Sequence, residues 1–202
     1  MADPKKTRIV ALLDRTGSMA DIKTDVEGAF DQFIKEQREL DAGDEVSVTL
    51  YQFDHNGEDV DILTTVYANK PLTEVASLTI TPRGLTPLND AIGQTIVRTG
   101  EQLARLPEDE RPSKVIFVIM TDGQENKSRE YSTQQVKQLI EQQRTTYSWE
   151  FHFLGVGIDA FAVAGNYGID RSQTFAATRD GESIGVGYAA MTNAVSRSRT
   201  GS

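Results

Sequence analysis

Oxygen-bearing side chains follow directly after an apolar run near the start of the sequence. Residues 9–13 are all apolar, and Asp14, Thr16 and Ser18 come immediately after them. An unbroken apolar run is typical of a strand buried on both faces, and the residues after it predict a tight loop. Clustered carboxylate and hydroxyl oxygens suit a hard divalent cation, Mg²⁺ first, with Mn²⁺ or Ca²⁺ also possible.

Two further stretches offer the oxygens that such a site still lacks. A second unbroken apolar run, residues 115–120, is followed by Asp122, and Thr86 lies in a loop rich in Pro and Gly. If the two apolar strands are neighbours, their carboxylates lie side by side and repel each other, and a divalent cation between them removes the repulsion. The predicted metal ligands are Asp14, Thr16, Ser18, Thr86 and Asp122.

The elements that must position these residues alternate between strand and helix patterns. Strands are predicted at 9–13, 45–53, 60–67, 115–120, 151–156 and 174–177. Helices are predicted at 21–40, 71–78, 88–103, 160–167, and from about 132 and 183. The link between the second and third strands is too short for a crossover helix, so these strands should pair antiparallel at the sheet edge.

This order predicts an α/β fold: a doubly wound, mostly parallel open sheet of about six strands, with one antiparallel edge strand and helices on both faces. Ligands of such sheets bind outside the carboxyl ends of the strands, where the strand order reverses. The 202 residues fit a single domain, 1–202, with a core at roughly 7–195 and a frayed tail from residue 196.

Composition excludes several classes of function. The net charge of −9 argues against nucleic acid or an anionic membrane as the partner. The absence of cysteine and the presence of two histidines exclude thiolate and histidine-rich metal sites. The polar N-terminus does not resemble a signal peptide, and no apolar run approaches the ~20 residues of a membrane span, so a cytoplasmic location is expected.

Three motifs resemble those of a known family, the von Willebrand factor A domains. Residues 14–18, Asp-Arg-Thr-Gly-Ser, resemble the family's D-x-S-x-S motif, and residues 84–88 resemble its threonine loop. Residues 121–123, Thr-Asp-Gly, resemble its aspartate motif. The motifs occur in the family's order and spacing, and the resemblance covers roughly residues 7 to 195.

This resemblance implies a metal-ion-dependent adhesion site made of the five predicted ligands. In the family one metal position stays open, and a carboxylate from a protein partner fills it, which is binding rather than catalysis. The chain departs from the family at Thr16, where serine is usual. Threonine keeps the ligating oxygen, so we expect metal binding to survive.

Other residues near the three motifs should form a rim that contacts the partner. The positive charge of Arg15 would favour an acidic partner. The protein alone is expected to be a monomer. The predicted rim residues are Arg15, Met19, Leu85, Gln124, Glu125 and Asn126.

Two other functions compete with the binding module. An aspartate after a buried strand also occurs in phosphatases of the haloacid-dehalogenase type, but these need a second aspartate two residues later, where this chain has Thr16. Threonine cannot act as a general acid at neutral pH. The other alternative is a structural interaction domain whose metal site is vestigial.

Overall fold

A central sheet organises the chain. The computed structural model describes residues 3–57 and 61–201, and within these the chain forms a six-stranded sheet. The strands are β1 Asp3–Asp14, β2 Glu45–Phe53, β3 Leu63–Pro71, β4 Pro112–Thr121, β5 Glu150–Val156 and β6 Thr174–Ala177. The helices are α1 Lys23–Glu39, α2 Leu88–Ala104, α3 Thr133–Tyr147, α4 Ala160–Asn166 and α5 Gly181–Thr200.

The strand order confirms the predicted doubly wound topology. The order is β3-β2-β1-β4-β5-β6, with every neighbouring pair parallel except β2 and β3. From β1 the chain first moves outward to β2 and β3, and it then crosses to β4 on the other side of β1. The strand order therefore reverses between β1 and β4, which are the two unbroken apolar runs of the sequence.

Residues 9–13 of the central strand β1 are all apolar because they contribute to a core on each side of the sheet. Ile9, Ala11 and Leu13 belong to the core that α1 and α5 cover. Val10 and Leu12 belong to the core beneath α2, α3 and α4. All five side chains are fully buried. A strand covered on both faces in this way cannot shift its register without exposing apolar side chains, so its end is held in place.

The predicted helix at 71–78 is wrong. β3 continues to Pro71, a single 3-10 turn spans Leu72–Glu74, and the chain then runs without regular structure to Leu78. The guanidinium of Arg38 on α1 donates to the backbone carbonyls of Leu72 and Val75, which holds this segment against the helix. The apolar residues that suggested a helix are instead buried as the segment crosses the edge of the core.

The predicted fraying of the C-terminal tail is also wrong for residues 196–200. α5 extends to Thr200 and ends at Gly201, whose φ of 72° is the left-handed conformation common after a helix. Arg199 is buried and forms two hydrogen bonds with Asp44, at 2.8 and 3.1 Å, and another with the carbonyl of Gln37 at 2.7 Å. This ion pair ties the end of the chain to the loop before β2.

The edge strand predicted at 60–67 corresponds to β3, Leu63–Pro71. Val60, the first residue of the predicted strand, lies outside the described residues. In the part of the chain that the structure describes, no helix is both long and apolar enough to cross a membrane.

The buried ion pair provides a first test of this fold. We expect Arg199→Ala to lower the free energy of unfolding by about 3 kcal/mol, because it leaves the largely buried carboxylate of Asp44 without its partner. Urea denaturation followed by circular dichroism measures the change. Arg197→Ala, at an exposed position of the same helical turn, is the control and should change stability by less than about 0.5 kcal/mol. Equal effects of the two substitutions would contradict the anchoring role.

Candidate metal centre

The two predicted carboxylates leave the sheet next to each other. β1 and β4 are parallel neighbours with Leu13 opposite Met120, so Asp14 ends one strand beside the end of the other. Asp122 follows two residues after Met120. Both carboxylates therefore lie at the point where the strand order reverses, as the sequence predicted.

Asp14 is fully buried and tightly held. Its Oδ2 accepts a hydrogen bond from the Thr121 hydroxyl at 2.6 Å, and its Oδ1 accepts one from the Thr16 backbone N–H at 2.7 Å. Burial raises the pKa of Asp14 to about 6, and the nearby charge of Asp122 acts in the same direction, although the hydrogen bonds oppose both. A buried carboxylate with a raised pKa is under-compensated and would gain from a nearby cation.

The three predicted hydroxyls form a chain of close oxygens that ends on the second carboxylate. Thr86 Oγ1 lies 3.4 Å from Thr16 Oγ1, which lies 3.2 Å from Ser18 Oγ. Ser18 Oγ donates to Asp122 Oδ1 at 2.8 Å. These contacts bring all three loops of the predicted site together.

The spacing and chemistry of these oxygens fit a small divalent cation. Neighbouring oxygens around an octahedral Mg²⁺, with bonds of about 2.1 Å, are about 3 Å apart. The measured separations of 2.8 to 3.4 Å bracket that value. Among residues 3–57 and 61–201 no three histidine or acidic residues cluster in a way that could hold a metal ion. A metal here would depend on two carboxylates assisted by hydroxyls.

Backbone contacts hold the loop that carries Thr86 against the ends of β1 and β2. The Gly17 N–H donates to the Gly84 carbonyl at 3.1 Å, and His55 and Leu85 exchange two backbone hydrogen bonds. Gly84 has a φ of 70°, and a Cβ there would lie 2.3 Å from the His55 carbonyl oxygen. Only glycine fits where the two backbone segments approach so closely, so Gly84 allows the loop to place Thr86 at this edge of the sheet.

Two predicted rim residues brace the Thr86 loop. Asn126 Oδ1 accepts from the Thr86 N–H at 3.0 Å, and the Asn126 N–H donates to the Thr86 carbonyl at 3.1 Å. The carboxylate of Glu125 accepts from the backbone N–H groups of Asn89 and Ser128, at 2.7 and 2.6 Å. Glu125 thus joins the start of α2 to the loop after β4, which fixes the position of Thr86 relative to Asp122.

The structure corrects the predicted rim at Arg15 and Met19, because both are buried. Met19 packs in the core under α1 and α5. Arg15 Nε contacts Asp54 Oδ1 at 2.5 Å, and a second nitrogen donates to Thr64 at 2.7 Å. Arg15 is therefore paired below the surface instead of offering its charge to a partner, and Asp54 also accepts from Arg83 at 2.7 Å.

Three of the four remaining rim residues lie at the surface, whereas Glu125 is half-buried. Leu85 is 48% exposed, an unusual value for a large apolar side chain beside a polar site. Gln124 and Asn126 are also exposed. These three exposed side chains are apolar or uncharged.

The sequence reasoning missed Arg179, which contacts the site directly. Its guanidinium donates to Asp122 Oδ2 at 2.5 Å and to the Ser18 backbone carbonyl at 2.6 Å. Gly157 leaves room for it, since a Cβ there would lie 2.6 Å from Arg179 Cγ. Arg179 lies between β6 and α5, both of which the sequence predicted. The loops that follow parallel strands all lie at the carboxyl edge of the sheet. The position of Arg179 in the loop after β6 could therefore have identified it as a site residue.

Comparisons with known proteins support the fold. No protein-family model matches the chain, and no curated protein matches it. Proximal thread matrix protein 1 from the mussel byssus is similar in structure, with a TM-score of 0.61 and 15% identity over 95% of this chain and 46% of that chain. The pilus adhesin SpaC from Lactobacillus rhamnosus GG, in its open conformation, has a TM-score of 0.70 and 12% identity over 97% of this chain and 30% of that chain.

This chain therefore spans less than half the length of either solved chain. The likenesses indicate a fold like that of the von Willebrand factor A domains. At 12 to 15% identity they show the fold alone, so the function rests on the site itself.

The buried carboxylate predicts an unusual dependence of stability on pH. In EDTA, Asp14 should destabilise the folded protein as pH rises from about 4 to about 6, because its pKa is raised from the ordinary 3.8 and the folded state holds the proton more tightly than the unfolded state. Asp14→Asn removes this titration. We expect the variant to be more stable than the wild type by up to about 3 kcal/mol at pH 7.5, and nearly equal to it at pH 4.

Chemical denaturation at the two pH values measures this difference. Asp109→Asn, at an exposed position, should show no such dependence. A wild type that is more stable than Asp14→Asn at pH 7.5 in EDTA would contradict the role given to burial.

Proposed function

We propose that this chain is a protein-binding module that engages an acidic residue of a partner protein through a divalent cation, Mg²⁺ or, in its place, Mn²⁺ or Ca²⁺. The observation that carries the proposal is the chain of close oxygens from Thr86 through Thr16 and Ser18 to Asp122, beside the buried carboxylate of Asp14. Two buried carboxylates at the ends of neighbouring strands are costly, and a cation bound to these oxygens would offset that cost.

Each of the five residues has a separate part in this proposal. Asp14 and Asp122 supply negative charge, and the three hydroxyls supply neutral oxygens that do not add to the repulsion. When bound, the cation supplies the positive charge that attracts a carboxylate to a protein whose net charge is −9. Five side chains leave room in a six-ligand shell for one oxygen from elsewhere.

The surroundings of the site favour a protein partner. Leu85 presents apolar surface, and Gln124 and Asn126, which follow Asp122 closely in the sequence, present uncharged hydrogen-bonding groups. A small apolar contact with a polar border around one charged anchor is a common interface arrangement. The named relatives in structure are an adhesin and a matrix protein, which is compatible with such a role.

Catalysis is less well supported than binding. In a phosphatase of the haloacid-dehalogenase type, Asp14 would be the nucleophile. Here both of its oxygens accept hydrogen bonds and the residue is fully buried, so it is poorly placed to attack a substrate. Thr16 stands where the general acid would be needed. We therefore propose that the protein is not an enzyme; its monomeric state and cytoplasmic location stay predictions from the sequence.

Metal binding is the first test. We expect Mg²⁺ or Mn²⁺ to bind with measurable heat in calorimetry and to stabilise the fold, by about 2.7 kcal/mol at 100 times the dissociation constant. Ser18→Ala, which removes one central oxygen, should weaken the affinity by about 10- to 100-fold. Ser113→Ala, at an exposed position at the start of β4, is the matched control and should bind as the wild type does. Absence of binding by the wild type would refute the proposal.

Partner binding separates this proposal from a structural domain with a vestigial site. We expect a partner captured by the wild type to be released by EDTA and not to be captured by an Asp14→Ala/Asp122→Ala variant, because both changes remove the cation. Pull-down with and without EDTA, followed by mass spectrometry, makes the measurement, and Ser113→Ala should capture the same partner. Capture that is indifferent to EDTA would favour the vestigial site.

A further inference from the structure

Arg179 is a cationic side chain that lies directly against the proposed metal centre. Its two terminal nitrogens bridge Asp122 Oδ2 and the Ser18 carbonyl, so it contacts two of the three loops that build the site. The Asp122 carboxylate is fully buried, but the Arg179 side chain is 35% exposed. One side of this guanidinium therefore faces the site while part of it remains accessible from outside.

The position of Arg179 is specifically accommodated by the fold. Gly157, which directly follows β5 and has a φ of 69°, lies against the Arg179 side chain, and a Cβ there would be 2.6 Å from its Cγ. The Gly157 N–H donates to the Ala177 carbonyl at 2.7 Å, which ties the end of β5 to the strand that precedes Arg179. These contacts hold the base of the side chain beside the oxygens.

Nearby arginines contact carboxylates that are not proposed metal ligands. Arg15 is buried, and Arg15 and Arg83 share the single carboxylate of Asp54. Arg98 pairs with Asp61 on the outer side of α2. The carboxylate that Arg179 contacts, by contrast, is itself a proposed metal ligand, so a bound cation would share it with the arginine.

The charge of Arg179 affects the net charge of the site both with and without a bound cation. Asp14, Asp122 and Arg179 together carry about one net negative charge, and a divalent cation would change this to about one positive charge. One carboxylate from a partner would then make the site neutral. Without Arg179 the cation-loaded site would already be neutral, and it would attract a carboxylate less strongly.

We infer that Arg179 is a specificity-determining residue of the site, which makes the cation-loaded form selective for an acidic partner and neutralises Asp122 when no cation is bound. This inference rests on the proposed function. It requires Arg179 to have opposite effects on the two binding steps, since its charge opposes the cation and attracts the carboxylate. A residue that merely stabilised the loop would weaken both steps when removed.

The test compares Arg179→Gln with the wild type and with Arg98→Gln, which removes an arginine of similar exposure from an ion pair outside the site. Calorimetry with Mn²⁺ measures the first step. The second is measured from the broadening of peptide resonances by the Mn²⁺-loaded protein, with a short end-capped peptide carrying one glutamate and its glutamine counterpart. Circular dichroism and thermal unfolding in EDTA verify that each variant is folded.

We expect Arg179→Gln to bind Mn²⁺ about threefold to tenfold more tightly and to lose preference for the glutamate peptide by a similar factor. Arg179→Lys, which keeps the charge but not the two-pronged contact, should fall between the two proteins, and Arg98→Gln should match the wild type. Unchanged or weaker Mn²⁺ binding by Arg179→Gln, or an unchanged preference for glutamate, overturns the inference while leaving the proposed function in place. A wild type that does not bind Mn²⁺ refutes both.

Discussion

Two carboxylates at the ends of adjacent buried strands are the constraint on which the rest of this structure depends. Asp14 and Asp122 lie together because β1 and β4 are paired in the middle of the sheet, where both faces are covered. Neither strand can slide without exposing apolar side chains to water. The hydrophobic core thus holds like charges side by side, and the surrounding polar groups must compensate them.

Hydrogen bonds from neighbouring loops provide part of that compensation. Thr121 and the Thr16 N–H hold both oxygens of Asp14, and Ser18 donates to Asp122. The pKa of Asp14 still remains raised to about 6, so hydrogen bonding does not fully offset the cost of burial. The ionised Asp14 therefore lowers the stability of the fold, and the proposed cation would offset that cost.

Charge at this edge of the sheet is divided between two separate groups. Asp54 binds Arg15 and Arg83 and braces the loop that leads to Thr86. Arg179 instead contacts Asp122 and stays partly exposed. One group therefore braces the loops and the other contacts a proposed metal ligand, although both consist of the same residue types.

The sequence by itself identified the two central strands of the sheet and the five oxygen-bearing side chains that the structure places at their carboxyl ends. Unbroken apolar runs and the polar residues after them are local patterns, and parallel strands bring such ends to one edge. Only the tertiary structure decided which arginine contacts the site. Arg15 and Asp54 are 39 residues apart in the sequence, and Arg179 and Asp122 are 57 residues apart. The tertiary structure likewise decided the segment after β3, since the Arg38 contacts that hold it come from another element. Local patterns cannot encode partners that only folding brings together.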